Sequence, residues 1–369
     1  MSFRILRWLM KNKFIRTVAA LCVAVMVLMC LCSCSKSGNE VDETTTQVET
    51  TKKVVLTDYN RLTGLDDLSD AAKGKRPVAV MVNNIKASLP QYGISKADLM
   101  FEVLVEGGIT RMMAVYGDYT KVPNVCSVRS CRYYFPIFAY GLDAVYICYG
   151  SNPTLGTPTL KRLGIDYFNG AENNDEVIFG RDPNRVGKYK REHTAYVKGP
   201  NVPQLLDKYK VRTDYKQGKD NYIFNFRKPG EMKAPSKLAC DKATLSFSNQ
   251  YYSTFTYDSE KKVYLKQHSG KPHMDSVTGE QLAYTNVFVL ETDVSLYNGG
   301  PLVQVDWKGG TGYYISCGAA KKIKWTKKNE GAPIVVTDTD GKEIKINAGN
   351  SYIGVIGKGL TKLSTPTEK

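Results

Sequence analysis

The sequence predicts an α/β (α+β) N-terminal domain followed by a mainly antiparallel β C-terminal domain. Three observations carry that expectation. Between Val78 and Tyr209, short β-type runs alternate with helix-type runs, the pattern of a layered sheet with helices packed on it. From about Asp214 to Gly357 the runs are almost all short and β-type, separated by turns such as Asn298-Gly299-Gly300 and Asp340-Gly341, as in a sandwich, barrel or curved sheet. Roughly 300 residues remain once the two polar ends are set aside, a length that suits two domains better than one. The expected boundaries are 56–213 and 214–360, with a tail at 361–369.

In the first part, Val78 to Val82 reads as a strand. Asp98 to Val105 and Ile109 to Tyr116 flank Gly107-Gly108, which reads as a hairpin with a two-residue turn. Arg129 to Tyr140 reads as a helix that Ser127 or Ser130 could cap. Ala144 to Tyr149 is a strand of the buried type. It leads into the loop Gly150-Ser151-Asn152 and a short helix from Thr157-Pro158 to Leu163, with proline suited to a first turn. Val202 to Tyr209 is a further helix. In the second part, strands are expected at Leu245–Ser248, Val263–Gln267, Val287–Leu290, Leu302–Val305, Tyr313–Ser316, Ile334–Thr337 and Ser351–Ile356.

The first 33 residues differ from everything that follows. Arg4, Arg7, Lys11, Lys13 and Arg16 form a positive start with no acidic residue, and the apolar run Val18 to Leu31 ends at Leu31-Cys32-Ser33-Cys34. A basic flank, a short apolar stretch and small residues at its end mark an export signal. The run is short for a span of about 20 residues. Ser33 before Cys34, with Leu31 three positions ahead of it, matches a lipobox, which makes Cys34 the lipidated first residue of the mature chain. An uncleaved anchor helix is the alternative, and it too puts the body outside the cytoplasm. The stretch from Cys34 to about residue 55, rich in Ser, Thr, Glu and Asp, has too little to bury for a fold of its own and reads as a disordered spacer. The expected location is thus the extracytoplasmic face of the cell membrane.

The chain carries 51 Lys plus Arg against 36 Asp plus Glu, a net charge of +15. Without the five signal-segment cations the balance is 46 against 36, or +10. Such a surface attracts anions over distance. Outside a cell this points to an anionic cell-wall polymer or an envelope protein, and away from nucleic acid. Beyond Cys34 the cysteines are Cys126, Cys131, Cys148, Cys240 and Cys317. Their number is odd and no pair has metal or redox spacing, so no essential disulfide framework is expected, although one pair remains open.

The string Arg76-Pro77-Val78-Ala79-Val80-Met81-Val82-Asn83-Asn84, Pro90-Gln91, Ala97-Asp98, Glu102, Glu106-Gly107-Gly108-Ile109-Thr110-Arg111 and Ser127-Val128-Arg129-Ser130 resembles the N-terminal region of the YerB-like bacterial lipoproteins. Tyr264-Leu265, Asp275, Gly279, Asn286-Val287 and Gly349-Asn350-Ser351-Tyr352-Ile353 resemble that family's C-terminal region. The resemblance spans about residues 60–357 and implies a two-part lipoprotein with no settled activity. The sequence departs from the family pattern around Cys126 to Arg132 and around His193.

The candidate chemistry lies in three groups. With a two-residue turn at Gly107-Gly108, Glu102, Leu104, Glu106 and Arg111 share one strand face. There the carboxylates could act as general bases or simply pair with the guanidinium. Arg129 and Arg132 would lie on one side of a helix start, a setting that favours anions. Arg181-Asp182, Arg185, Arg191 and His193 form a basic stretch in which like charges keep the imidazole neutral. The candidate catalytic residues are therefore Glu102, Glu106, Asp182 and His193, and the candidate anion-binding residues are Arg111, Arg129, Arg132, Arg181 and Arg185. His268, His273 and Asp275 match no zinc pattern, and Lys266 and Lys271 oppose a cation there, so no metal is expected. No phosphate loop, nucleophile elbow or dinucleotide fingerprint occurs, and no cofactor is expected. The binding reading is an accessory lipoprotein for an anionic envelope polymer or partner. The enzyme reading is a hydrolase or transferase acting on wall glycan or a phosphate-containing polymer.

Overall fold

A computed structural model describes residues 59–216 and 223–364. Cys34, the signal segment and the spacer lie outside these residues. The described residues fall within one compact unit. In chain order its main elements begin with β1 (Val78–Asn83), β2 (Leu99–Leu104), β3 (Thr110–Tyr116), α1 (Tyr134–Gly141), β4 (Val145–Cys148), α2 (Gly156–Leu163), β5 (Tyr167–Asn169) and α3 (Val202–Lys208). There follow β6 (Lys242–Ser246), β7 (Tyr252–Asp258), β8 (Val263–His268), β9 (Asn286–Thr292), β10 (Gly309–Ser316), β11 (Ala319–Thr326), β12 (Val335–Thr337), β13 (Ser351–Gly357) and β14 (Thr361–Ser364).

Ten of these strands form one sheet in the order β12-β11-β10-β9-β13-β2-β3-β1-β4-β5. β2 and β13 run parallel, Leu99 opposite Ser351 and Phe101 opposite Ile353, and this pairing joins strands from the two expected parts. β1, β4 and β5 are parallel to one another, so their carboxyl ends open on one edge. A six-stranded second sheet holds β8, β7, β6 and β14 in that order, with two short strands alongside β8. Most pairs are antiparallel, as the C-terminal expectation requires.

The large sheet is covered on both faces, and this dictates its sequence. Ala79, Met81, Phe101, Met113, Phe288 and Trp325 pack against α1 and α2. Val80, Met100, Met112, Val287 and Tyr352 pack against α3 and the second sheet, through Leu206, Leu245 and Phe255. Every residue of β1 and β3 is buried. Two buried faces remove the polar alternation of a half-exposed strand, so these segments read as continuous apolar runs.

Three sequence expectations need correction. The β2–β3 connection is not a two-residue turn. Val105 donates its N–H to the Ile109 carbonyl at 2.8 Å, and Glu106–Gly108 form a 3₁₀ turn with Gly107 and Gly108 at φ of 72° and 69°. Glu102 therefore pairs with Met112, and Arg111 with Val103. A one-residue change of register moves a side chain to the other face, so Glu102 and Arg111 project from opposite sides of the sheet. Arg129–Tyr133 is not helical, because its backbone serves the sheet edge. Arg129 N–H donates to Met81, Tyr149 N–H to Arg129, and Cys131 N–H to Gly150. Finally, Thr361–Ser364, read as the start of a tail, pairs with β6 and turns Leu363 toward the core.

Candidate functional site

The carboxyl ends of β1 and β4 are where the predicted arginines meet. Ligands in α/β sheets bind at such strand ends. Arg111 is the second residue of β3, opposite Asn83, and only 6% of it is exposed. Its Nη1 donates to the Ser130 carbonyl at 2.7 Å, while its buried Nε has no hydrogen-bond partner. Burial, with Arg132 and Arg129 nearby, pushes its guanidinium down to about 10. Arg132 donates from Nε to Glu106 Oε2 at 2.6 Å and from Nη1 to the Cys131 carbonyl at 2.9 Å. Arg129 is half-buried, and burial lowers its pKa against the raising influence of exposed Glu192. Three guanidiniums thus lie close enough to repel one another, and one carboxylate, Glu106, is in direct contact with them. Like charges held together in partial burial are costly unless an anion relieves them.

His193 closes one side of this group. Its Nδ1 lies 3.0 Å from Asn83 Nδ2. An amide nitrogen can only donate, so Nδ1 accepts and the proton sits on Nε2, which faces Glu192 Oε1 at 4.0 Å. Burial and then Arg129 hold its pKa below the ordinary value, so the ring is neutral at pH 7, as expected from its basic surroundings. Arg181 stands further along the same edge. It stacks on Tyr149, donates to that phenol at 2.9 Å and to the Arg191 carbonyl at 2.8 Å.

Other predicted residues lie elsewhere. Arg185 and Asp182 are buried together, Nε to Oδ2 at 3.4 Å. Arg185 also donates to the carbonyls of Ser88, at 2.8 Å, and Pro90. That pair ties a loop to the body. The 151-to-157 turn is fastened by a hydrogen bond between Ser151 Oγ and Thr157 Oγ1.

Glu102 is buried against the second sheet in a network that sequence reasoning did not foresee. Its Oε1 accepts from Asn84 Nδ2 at 3.0 Å and Thr110 Oγ1 at 2.8 Å. Its Oε2 accepts from Ser253 Oγ and Tyr352 OH, each at 2.8 Å, and lies 3.2 Å from Lys266 Nζ. Burial raises the carboxyl, but Lys266 and these donors outweigh it and hold the pKa below the usual range. Lys266 is wholly buried. It contacts His273 Nδ1 at 3.0 Å, and His273 Nε2 meets Gln91 Oε1 at 2.9 Å. An ammonium can only donate, so His273 is neutral with its proton on Nε2, donating to Gln91. His268, beside it, has both ring nitrogens buried without a partner. The sequence contains one pointer to this cluster, the histidine pair at 268 and 273, whose spacing matches no zinc pattern. Asp275 is occupied otherwise, accepting from the Ser95 and Val277 backbones. Among the described residues no three His, Cys, Asp or Glu side chains gather as a metal site. The cysteines at 126, 131, 148, 240 and 317 are all free thiols.

Together the mixed sheet, the C-terminal antiparallel layer and the arginine edge describe a two-part body of one family type. Residues 62–212 match the family described as "Protein of unknown function (DUF3048) N-terminal domain", and residues 243–353 match its C-terminal domain. The chain belongs to this family, the YerB-like proteins. It is 27% identical over 299 residues to "Putative lipoprotein YerB" of Bacillus subtilis, strain 168, covering 80% of this chain and 85% of that one. The crystal structure of the YerB protein from Bacillus subtilis superposes with a TM-score of 0.70 at 25% identity, covering 83% of this chain and 99% of that chain.

Proposed function

We propose that this protein is a lipoprotein tethered through Cys34 to the outer face of a cell membrane, where it binds an anionic cell-envelope polymer or envelope partner as an accessory factor. The observation that carries the reading is the excess of guanidinium at the β1 and β4 ends: Arg111, Arg129 and Arg132 with a single contacting carboxylate. A planar fork with unused donors suits a phosphate or carboxylate. The name of the Bacillus relative, the lipobox at Cys34 and the net positive charge of the mature chain agree with it. The binding reading is preferred to the hydrolase or transferase reading because each candidate carboxylate is already committed. Glu102 is saturated by donors, while Glu106 is ion-paired with Arg132 and Asp182 with Arg185.

The test is co-sedimentation of the full chain with purified wall fragments, comparing wild type with Arg129→Ala and Arg132→Ala. Binding weakens about tenfold in each variant, the loss expected for one charge-assisted contact, and falls with added salt. Undiminished binding by both variants overturns the anion site. Mass spectrometry that finds an unmodified thiol at Cys34 in membrane-recovered protein overturns the tether.

A further inference from the structure

Beside the arginine edge lies a separate cavity of about 410 Å³, lined by Tyr133, Tyr297, Trp307, Gln304, Asp306 and Lys308 among others. Its aromatic rings are half-buried, and Gln304, Asp306 and Lys308 are exposed. Two of the rings are fixed in place. Tyr133 OH donates to the Val305 carbonyl at 2.9 Å and accepts from the Val305 N–H at 2.9 Å. The Trp307 ring has the Lys327 ammonium 6.0 Å from its centroid, and that ammonium is anchored on the carbonyls of Asn329, Glu330 and Ala332. The polar groups, in contrast, are unspent. The Gln304 amide, Tyr297 hydroxyl, Trp307 N–H and Lys308 ammonium have no hydrogen-bond partner among the described residues. The Asp306 carboxylate accepts only the Lys308 N–H, at 2.9 Å, through Oδ1.

We propose that this cavity is a saccharide subsite that takes one or two pyranose rings of an uncharged oligosaccharide segment. A sugar ring offers a C–H face that packs on aromatic rings and a rim of hydroxyls that both donate and accept. Fixed rings with spare amide, carboxylate, hydroxyl and ammonium groups present the matching surface. Charge decides against the alternatives: of the lining side chains Asp306 and Lys308 balance, and the nearby Lys327 ammonium is held by three carbonyls, so neither an anionic nor a cationic ligand is favoured here. Rings already held in place lose little entropy on binding. The inference deepens the envelope-binding reading, because Tyr133 directly follows Arg132 in the chain, but it stands on different residues.

The experiment is calorimetric titration of the full chain, in a detergent without a sugar head group, with the N-acetylglucosamine tetramer as probe. Wild type binds. Trp307→Ala binds about tenfold more weakly, the scale of one lost aromatic contact, and Gln304→Ala, at an exposed position, weakens binding without disturbing the fold. Arg129→Ala with Arg132→Ala leaves tetramer binding unchanged even where wall sedimentation is lost, so the two sites fail separately. Absence of binding by wild type, or equal binding by wild type and both cavity variants, overturns the proposal. A difference in tryptophan emission between wild type and Trp307→Phe on adding the tetramer reports the ring itself, since Trp325 is buried in the core and Trp8 is common to both chains.

Discussion

At the scale of single residues, the buried Glu102–Lys266 pair carries the sharpest consequences. Both side chains are essentially inaccessible, 1% and 0% exposed. Removing one partner leaves an uncompensated charge in the core. Lys266→Met is therefore expected to cost about 3–5 kcal/mol, measured by urea unfolding. Glu102→Gln combined with Lys266→Met should recover part of that loss, because the amide carries no charge to compensate while its oxygen still accepts from the donors around it. His268 adds a pH dependence. Burial, then Lys266, pushes its imidazole down to about 4 from 6.5. Between those values the unfolded chain binds a proton that the folded chain refuses, so stability is full above pH 6.5 and falls as pH drops toward 4. The contribution is about 3 kcal/mol across that window. His268→Phe should flatten the wild-type slope there, measured as unfolding free energy at pH 4.5 and 7.5. Asp98 works in the opposite direction. Burial raises its carboxyl to about 6 from 3.8, so its contribution is present at low pH and lost as pH rises through 6. Comparing variant with wild type separates the two.

At the scale of elements, the β9–β10 pair shows how tightly the large sheet is built. Gly312 in β10 has φ of 154°, and a Cβ there would lie 1.8 Å from the Val289 carbonyl oxygen across the ladder. Backbone cannot yield as a flexible side chain can. Gly312→Ala must push β10 away from β9 and break hydrogen bonds on both sides of the register Leu290 to Gly312. The expected loss is about 2–4 kcal/mol, from strain at a positive φ and overpacking together, read as a lower urea midpoint with unchanged slope. The β2–β3 loop illustrates a different point. Its two glycines are visible in the sequence as a turn, but two-residue and five-residue connections use the same residues. The choice between them decided which side of the sheet Arg111 faces.

At the scale of the whole molecule, the two family regions share one sheet through β2 and β13. Each supplies an edge that the other pairs. The body should therefore unfold as one cooperative transition, with calorimetric and van't Hoff enthalpies in agreement. Two resolved transitions would refute the shared sheet as the unit of stability. A chain ending before residue 243 should aggregate, because β2 would present an unpaired apolar edge.

The sequence by itself determined what is local: the signal-like start with Cys34, the buried strands β1, β4, β9 and β13, the short helices α2 and α3, and the family membership. Period, turn residues and motif strings lie within a few neighbouring positions, so they are legible in a line of text. It also pointed to the arginines that gather at the strand ends, because guanidinium-rich segments stand out by composition. Only the tertiary structure decided that Glu102 and Arg111 face apart, that the helix starts at Tyr134 and not at Arg129, and that Glu102 meets Lys266, 164 positions away in the chain. Strand register and sheet partnership are set by contacts between distant segments. The pairing of β2 with β13, on which the core and the edge carrying the arginines both depend, leaves no mark in either strand alone.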